Sequence, residues 1–439
     1  MPLLTALRHP GRTIAASVVM SVLPAIMAAA PSSPADARAF LRTELVFPIQ
    51  AEHAHGSTLV ELPNGDLLVG WFQGSGERWA DDVRILGARK KKGEAAWSAP
   101  FLLADVKEFP DCNPVLFLDP RGRLWLMWIT IIANQWETSL VKYRVSDDFL
   151  DQAGAPAWRW QDTLLLKPGG KTERGIQSGD PFVASVRDQL THYGAYLASD
   201  PVHAAARERW TSQSERLLSL AKGEDMMRAG RVYALDGKAD ESRMGWQTRN
   251  KPIITRTGRM IVPLYSDGFS FSLMAYTDDA GENWKTSTPL VGGAAIQPAI
   301  AATARGELVA YMRDNGPPPK RLHVSRSLDE GQTWSPVRDS ELPNPGTACD
   351  IVTLRNGHWV MVNNDTEAGR HRLTLSLSED EGKTWRYHKR IADDAATRSH
   401  YPAIIVGADG SIHVSYSFFQ DDNRKAIKHT VCNEAWIRQ

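Results

Sequence analysis

The sequence SLDEGQTW at residues 327–334 recurs, with the same key positions, as SEDEGKTW at residues 378–385. A weaker copy, TDDAGENW, lies at residues 277–284. The aspartate of such a segment can bond backbone N–H groups across a tight turn, its glycine adopts a backbone angle that other residues resist, and its tryptophan fills the hairpin beneath. The tryptophans that end the three copies are 50 and 51 residues apart. A fixed period of this length indicates a propeller, a solenoid or another repeat array.

A second pattern is more complete: a short apolar strand, a turn with glycine, and another apolar strand. It occurs six times, and β-branched and aromatic residues on both sides of each turn are typical of β-hairpins. The glycines of these turns are Gly65, Gly122, Gly258, Gly306, Gly357 and Gly410. The last four are separated by 48, 51 and 53 residues. Each hairpin is followed by a second one, so the sequence predicts an all-β protein, a six-bladed β-propeller with four antiparallel strands in each blade.

One interval between the turns is too long for a single unit. Gly122 and Gly258 are 136 residues apart, and residues 201–225 have the pattern of a helix. We therefore expect a partly helical insertion at about residues 165–245, on blade two or three. The alternative is a seventh blade around residues 181–200, although that stretch has no glycine turn.

Composition limits the classes of function. The 439 residues are 42% hydrophobic and 23% charged, which is typical of a globular protein. Lys plus Arg and Asp plus Glu both number 51, so no basic field is available to attract nucleic acid. The 15 tryptophans suit hairpin plugs and also surfaces on which sugars stack. Three cysteines cannot all pair, so no disulfide framework is predicted.

The N-terminal segment is typical of an export signal. Basic residues precede an apolar run at residues 13–30, and residues 35–37 form an Ala-x-Ala cleavage site. We predict a signal peptide at residues 1–37, a propeller at residues 38–439, a secreted or periplasmic location, and no stable membrane insertion after cleavage. An uncleaved membrane anchor is the alternative, because the run is near the minimum spanning length.

Residues just before the innermost strands form the predicted site. In a propeller these strands begin near the same mouth of the central channel, so the residues that precede them meet in space. Here they are polar, where a buried strand would ordinarily begin with an apolar residue. Channel mouths are filled with water and are polar in any case, so some of these side chains could line the channel without any role in chemistry. The set consists of His53, His55, Cys112, Asn113, Arg249, Lys251, Gln297, Asp350, His400 and Tyr401.

A loop of the first blade adds acidic residues to this mouth. Two glycines make the loop at residues 74–83 flexible enough to bring Glu77 over the pocket. Asp82 leads into the next strand and is placed to point inward, whereas we interpret Asp81 as a solvated turn residue. Glu77 and Asp82 are therefore candidate catalytic carboxylates.

The eight-residue turns resemble the Asp-box, or BNR, repeats of sialidases. The order of features follows that superfamily over roughly residues 50–430, and the chain is most similar to sialidase-like BNR-repeat proteins of bacteria and plants. The resemblance implies a propeller that acts on carbohydrate, although Asp boxes also occur in non-enzymatic propellers. Sialidases use an acid/base aspartate in a blade-one loop, a tyrosine nucleophile assisted by a glutamate, and three arginines that hold the substrate carboxylate.

Four positions of this chain carry the resemblance into the site. Tyr401 resembles the nucleophilic tyrosine, and Glu77 lies in the loop where the acid/base aspartate is expected. Arg313 resembles the arginine that follows an inner hairpin, and Gln297 falls where the assisting glutamate would be. The resemblance implies these roles for the four residues.

Two positions depart from that pattern. Residues 55–57 are His-Gly-Ser where an Arg-Ile-Pro sequence would supply the first arginine; Arg249 could reach the mouth from another blade. Gln297 cannot accept a proton, whereas a tyrosine hydroxyl with a pKa near 10 needs a base or a cation nearby. The missing arginine also removes a bidentate clamp for a carboxylate. These departures argue against strict sialidase activity.

The same residues allow other chemistries. Glu77 could protonate the leaving oxygen while Asp350 or Asp82 acts as base or nucleophile, which is the usual two-carboxylate arrangement of glycosidases. The histidines of the mouth could instead serve as base and acid of a lyase, with Arg313 or Arg249 binding a uronate carboxylate. His53 and His55 would face the same side of a strand, but no further ligand spacing supports a metal site. Neither a metal nor another cofactor is predicted.

These inferences predict a secreted exo-acting glycoside hydrolase of the sialidase-like class that cleaves a terminal sugar from a glycan or polysaccharide. A polysaccharide lyase on uronate-containing glycans and a carbohydrate-binding propeller without turnover are the alternatives. Nothing in the sequence suggests an association helix, so a monomer is expected. The residues expected to bind substrate are His53, His55, Asn113, Arg249, Lys251, Gln297, Arg313 and His400.

Overall fold

A computed structural model of the chain describes residues 38–150, 152–166, 168, 178–222, 245–422 and 424–439. The predicted signal segment, residues 1–37, lies outside the described residues, as do parts of the predicted insertion.

The described strands form six antiparallel sheets, which are the six predicted blades. Blade I contains β2 (His53–Glu61), β3 (Leu67–Gly74), β4 (Arg84–Lys90) and β5 (Phe101–Ala104), and blade II contains β6 (Asp111–Leu118), β7 (Leu124–Ile131), β8 (Ser139–Ser146) and β9 (Trp160–Thr163). Blade III contains β10 (Gln247–Thr248), β11 (Ile253–Ile254), β12 (Met260–Ser266), β13 (Phe271–Thr277) and β14 (Lys285–Thr286). Blade IV contains β15 (Ala295–Ala302), β16 (Leu308–Asp314), β17 (Arg321–Ser327) and β18 (Arg338–Pro343). Blade V contains β19 (Asp350–Thr353), β20 (Trp359–Asn363), β21 (Arg372–Ser378) and β22 (Tyr387–Asp393). Blade VI contains β23 (Arg398–Val406), β24 (Ile412–Asp421), β25 (Arg424–Cys432) and, from the other end of the chain, β1 (Leu41–Leu45).

The strand β1 closes the ring. It pairs antiparallel with β25, with Glu44 opposite His429. The carboxylate of Glu44 accepts hydrogen bonds from Lys90 at 2.7 Å and from the Trp97 indole at 2.9 Å, and lies 2.9 Å from His429 Nδ1. One side chain thus ties blade VI to blade I.

The repeated eight-residue turns join the third and fourth strands of blades III, IV and V. In blade IV, Asp329 Oδ1 accepts the backbone N–H of Thr333 at 2.9 Å and the hydroxyl of Ser327 at 2.8 Å. Trp334 is buried beneath the turn. The copy at residues 378–385 forms the same bonds. The mechanical role predicted for this sequence is confirmed.

The six predicted turn glycines lie between the first and second strands of their blades. All six have a positive φ, between 74° and 90°, which a residue with a side chain adopts only with strain. The positions of the inner hairpins, and with them the six-bladed count, are therefore confirmed.

Among the described residues between blades II and III, two α-helices are present: α1 (Pro181–Ser199) and α2 (Ala204–Ala221). The predicted helical insertion is confirmed, and the alternative of a seventh blade at residues 181–200 is wrong because α1 occupies that stretch. Proline at its first position and no glycine turn favour a helix there. The side chain of Gln189 donates to the carbonyl of Trp334 at 3.1 Å, so α1 packs against blade IV.

A short helix, α3 (Glu434–Ile437), ends the chain. Among the helices of the described part, none has the length and apolar character needed to cross a bilayer.

Candidate active site

Four innermost strands, β2, β6, β15 and β23, are interrupted by a register shift at the same point near their start. One residue at each shift has a positive φ: Gly56 (64°), Asn113 (51°), Gln297 (56°) and Tyr401 (55°). A bulge of this kind turns a side chain away from the regular alternation of a strand. Non-glycine residues pay on the order of 1–3 kcal/mol for such a conformation, and they cluster at functional sites. The bulges therefore mark one mouth of the channel as the candidate site.

Tyr401 makes the central contact of this mouth. Arg313 Nη1 donates to the Tyr401 hydroxyl at 2.7 Å and lies 3.3 Å from Gln297 Oε1. Gln297 Nε2 is 3.5 Å from the same hydroxyl. Arg313 Nε donates to Asn315 Oδ1 at 2.8 Å, which fixes the plane of the guanidinium. The Tyr401 oxygen therefore faces a cation and an amide donor.

Two further guanidinium groups lie over the ring of Tyr401. Cζ of Arg249 is 5.2 Å from the ring centroid and Cζ of Arg370 is 5.6 Å from it. Arg249 is only 2% exposed, and it donates to the carbonyls of Ser57 at 3.2 Å and Pro402 at 3.0 Å. Because these bonds join three blades, Arg249 supports the tyrosine from within, whereas Arg370 is half-buried beside it.

These charges change the acidity of Tyr401. Burial acts to raise the pKa of its hydroxyl, but the charges of Arg313 and Arg370 and the hydrogen bond from Gln297 outweigh burial and lower the pKa below 10.0. The negative charge of Glu77 opposes this effect and so lies within electrostatic reach of the tyrosine. Arginine charge thus favours the phenolate without a neighbouring base.

Two buried histidines pack against Tyr401. The ring centroid of His55 is 4.4 Å from that of Tyr401 and 4.8 Å from that of His400, and His55 Nδ1 lies 2.8 Å from Ser417 Oγ. Burial lowers the pKa of His55 far below 6.5, and the charges of His400, His53 and two nearby arginines add to this effect. Burial and the charge of Arg370 lower the pKa of His400 in the same way. Both imidazoles are therefore neutral at neutral pH.

Glu77 reaches the mouth from the loop that follows β3. Its Oε1 lies 2.9 Å from His53 Nε2, and the His53 ring is 5.6 Å from that of His55. Asp82 is exposed and accepts hydrogen bonds from the backbone N–H and hydroxyl of Ser75, at 3.1 and 2.8 Å. Asp82 therefore braces the loop that carries Glu77.

A buried tyrosine links blades II, III and IV below this level. Tyr265 accepts hydrogen bonds from Asn113 Nδ2 at 3.2 Å and Gln297 Nε2 at 3.3 Å. Burial raises its pKa far above 10, so its hydroxyl stays protonated. Nearby, burial raises the pKa of Asp267 to about 6 although Arg313 opposes the rise.

Lys251 and Asp350, which were also predicted to lie at the mouth, form an ion pair with each other. Lys251 Nζ donates to both oxygens of Asp350, at 2.7 and 2.8 Å. The backbone N–H groups of Ile351 and Ile404 also donate to this carboxylate, each at 2.9 Å. Asp350 is buried, and its bonds join blades III, V and VI.

The comparisons with known proteins agree with this architecture. The sequence profile of the BNR repeat-like domain matches residues 65–185 and 200–414. The chain belongs to the BNR repeat-like family.

This BNR repeat-like protein is similar to curated proteins in sequence and to solved structures in fold. The anhydrosialidase of Macrobdella decora is 24% identical over 190 residues, which are 39% of this chain and 24% of that protein. The leech intramolecular trans-sialidase structure has a TM-score of 0.60 at 13% identity and covers 90% of this chain and 71% of its own. A Dyadobacter fermentans protein of unknown function has a TM-score of 0.61 at 13% identity, with 90% and 99% covered. The chain spans about a quarter of the length of the curated relative, and structural likeness at such identity shows the fold.

The structure of this BNR repeat-like protein also presents site residues that the sequence analysis missed. Arg370 precedes the third strand of blade V, and Tyr265 and Asp267 lie at the end of the second strand of blade III. The site residues predicted from the sequence lie mainly just before the innermost strands. The second strand of each blade runs back toward the same mouth, as Arg313 near the end of β16 illustrates. The last residues of the second strands could therefore have predicted Tyr265 and Asp267.

Proposed function

We propose that the protein is an exo-acting glycoside hydrolase of the sialidase superfamily that removes a terminal sugar bearing a carboxylate. The single observation that supports this proposal is the 2.7 Å contact between Arg313 Nη1 and the hydroxyl of Tyr401. A tyrosine beside cations is suited to attack an anomeric carbon, because its phenolate is stabilised where a carboxylate nucleophile would repel an acidic substrate.

Recognition of the carboxylate is assigned to Arg313 and Arg370. Planar guanidinium groups bind carboxylates through paired hydrogen bonds. Arg249 is engaged with backbone carbonyls and supports Tyr401. His55, which stands where sialidases have their first arginine, is neutral and bonded to Ser417, so it adds no positive charge. The clamp therefore has two cations, which favours a terminal acidic sugar other than sialic acid.

The catalytic steps follow from three side chains. Tyr401 attacks the anomeric carbon while the leaving oxygen of the substrate takes a proton from Glu77, whose carboxylate lies beside His53. Water, deprotonated by the same Glu77, then releases the sugar, so two displacements retain the anomeric configuration. Gln297 donates a hydrogen bond to the phenolate instead of accepting its proton. Asp82 and Asp350 are given supporting roles, because their oxygens are occupied by Ser75 and by Lys251.

The relatives support a carboxylate-bearing substrate. The leech intramolecular trans-sialidase was solved with 2,7-anhydro-Neu5Ac after soaking with 3′-sialyllactose, and that ligand is an acidic sugar. Sialyl and uronyl glycosides therefore belong together in the first panel of substrates.

Hydrolysis of that panel tests the proposal. Terminal sialyl, uronyl and neutral sugar glycosides are incubated with the wild-type protein and with the Tyr401→Phe variant. We expect release of an acidic sugar by the wild type and a loss of at least about 10³-fold in the variant. Tyr387→Phe, on the outer strand β22, is the matched control and should keep full activity. Binding of the sugar without turnover would instead favour a carbohydrate-binding propeller.

One observation favours a second candidate, a lyase on uronate-containing polysaccharides. His55 and His400 are neutral and pack on Tyr401, so an imidazole could take the proton beside a uronate carboxylate while Tyr401 protonates the leaving oxygen. Such a product carries a new conjugated double bond, whereas hydrolysis adds water. Ultraviolet absorbance of the products distinguishes the two reactions.

We also propose that residues 1–37 form a cleaved export signal and that the propeller domain begins at residue 38. The segment's basic start, apolar run and Ala-x-Ala site support this. N-terminal sequencing of the exported protein should begin at or near residue 38. A full-length protein retained in the membrane would contradict it.

A further inference from the structure

A buried charged cluster lies between the helical insertion and blade IV. His323, on β17, is 1% exposed. Its Nδ1 lies 2.9 Å from Asp339 Oδ1, and its Nε2 lies 3.4 Å both from Asp314 Oδ1 and from the carbonyl oxygen of Gly293. A histidine between two carboxylates can donate to both only when both nitrogens carry a proton. The geometry is therefore that of an imidazolium held between two acids.

The acidity of His323 agrees with this geometry. Burial acts to lower its pKa, but the charges and hydrogen bonds of Asp314 and Asp339 outweigh burial and raise the pKa to about 10. His323 is thus charged through the neutral range, and the cluster is no switch near neutral pH.

The insertion covers this cluster from one side. The hydroxyl of Tyr196 accepts the backbone N–H of Asp339 at 3.4 Å, and His203 Nδ1 lies 3.9 Å from Asp339 Oδ2. The ring of Tyr193 meets that of His323 edge-on at 6.1 Å. These three residues belong to α1 and to the turn before α2, so the insertion excludes solvent from the His323 pair.

The other side of the cluster reaches the candidate active site. Asp314 directly follows Arg313 in the chain, and its carboxylate also accepts the backbone N–H groups of Gly316 at 2.6 Å and Arg321 at 3.1 Å. These bonds order the turn that leaves β16. A shift of Asp314 would therefore move the end of the strand that presents Arg313 to Tyr401.

We propose that His323 is a positioning residue, which holds the Asp314 carboxylate on the insertion side of β16 and so leaves Arg313 free to bind the Tyr401 hydroxyl. Without the imidazolium, Asp314 would lack its counter-charge, and an uncompensated carboxylate would lie next to Arg313 in the chain. Its negative charge would weaken the positive field at Tyr401. The catalytic part of this inference rests on the proposed role of Tyr401, but the positional part does not.

The test measures ionisation of Tyr401 and needs no substrate. Tyrosinate absorbance is recorded against pH for the wild-type protein and for His323→Gln, and each curve is corrected by the same protein carrying Tyr401→Phe. We expect the midpoint for Tyr401 to rise by about one pH unit in His323→Gln, because Arg313 no longer acts fully on the hydroxyl. His388→Gln is the control: His388 contacts Ser376 Oγ and the Trp385 carbonyl, both at 2.9 Å and both uncharged, so the midpoint should not move.

A double variant separates positioning from general damage. In His323→Gln with Asp314→Asn, the uncompensated carboxylate of Asp314 is removed, so the Tyr401 midpoint should return toward the wild-type value. An unchanged midpoint in folded His323→Gln, or no return in the double variant, would overturn the proposal.

If His323→Gln does not fold, the protonation state of His323 in the wild-type protein still tests the proposal. Nitrogen chemical shifts of its histidines, assigned with the help of the His388→Gln protein, should show one imidazole that stays doubly protonated up to about pH 9. A neutral His323 at pH 7 would overturn the proposal. A wild-type protein that hydrolyses no glycan but shows the shifted midpoint would contradict only the proposed function.

Discussion

The guanidinium of Arg313 lies 2.7 Å from the hydroxyl of Tyr401, although 88 positions separate the two residues in the chain. Arg313 is the last residue but one of the second strand of blade IV, and Tyr401 lies at the bulge of the innermost strand of blade VI. Ring closure therefore creates the contact. It supplies the positive charge that lets a tyrosine ionise where the neighbouring position holds Gln297, which cannot accept a proton.

Replacement of Arg313 by lysine should keep a positive charge but lose the planar fork that contacts Tyr401, Gln297 and Asn315 together. We expect kcat on a responsive substrate to fall about 10²-fold. Arg326→Lys, in the pair with Glu307 on the same blade, is the control and should be neutral. Full kcat in Arg313→Lys would show that charge without geometry is sufficient.

The Glu77→Gln variant tests the acid. It should lower activity by roughly 10²–10⁴-fold on substrates with a sugar leaving group, since proton transfer to the leaving oxygen is lost. Aryl glycosides, whose leaving groups need little protonation, should lose much less. Asp81→Asn, in the same loop, serves as the control. An equal loss on both kinds of substrate would mean that Glu77 does not act as the acid.

Arg370→Gln tests carboxylate recognition. For an acidic sugar substrate we expect KM to rise by about 10–100-fold, because one charge-assisted pair of hydrogen bonds is removed. The methyl ester of the same substrate should react at similar rates with the wild type and the variant. Steady-state kinetics with both substrates make this comparison. A rise in KM of the same size for the ester would assign Arg370 to folding of the pocket.

Asp350→Asn separates a structural from a catalytic carboxylate. The variant should lower the free energy of unfolding by about 2–4 kcal/mol, because the half-buried ammonium of Lys251 loses its charged partner at a buried position. Its kcat per folded molecule should change little. Urea unfolding together with kcat gives both numbers. A loss of kcat above about 10³-fold without a change in stability would restore Asp350 as a catalytic base or nucleophile.

Acid should loosen the closure of the ring through Glu44. Burial acts to raise its pKa, but hydrogen bonds with His429 and Lys90 outweigh it and lower the pKa from 4.5 to about 2. Because the folded pKa is the lower one, its contribution to stability is complete above pH 4.5 and disappears as pH falls toward 2. We expect a loss of about 1–2 kcal/mol over that window, after allowance for solvent screening.

Chemical denaturation of Glu44→Gln at several pH values checks this expectation. The variant should be less stable than the wild type at pH 7, and the difference should shrink below pH 4.5. Exposed Glu94→Gln is the matched control. A difference that stays constant with pH would mean that the charge of Glu44 is unimportant for closure.

The fold was predictable because its signals are local. A turn that needs the positive φ of Gly357 or the side-chain hydrogen bonds of Asp329 is recognisable from a few neighbouring residues, and the same pattern recurs along the chain. The residues around Tyr401 were partly predictable, because the starts of innermost strands must meet. Arg370 was not, since it comes from a loop whose path depends on packing between blades.

The roles of the acids were less predictable than their positions. The sequence does not indicate that Asp350 accepts hydrogen bonds from Lys251 and from the backbone of Ile404, or that Asp82 accepts one from Ser75. Those bonds depend on register and on contacts between blades. The buried His323 is a similar case, because its two carboxylate partners lie on different strands and only the folded blade brings them together.

The pH titration of Tyr401 tests the central claim most directly. The tyrosinate absorbance of the Tyr401→Phe protein is subtracted from that of the wild type across the alkaline range. Activation by Arg313 and Arg370 predicts a midpoint below 10 for the difference curve. A midpoint at or above 10 would contradict activation by these arginines and remove the basis for Tyr401 as the nucleophile.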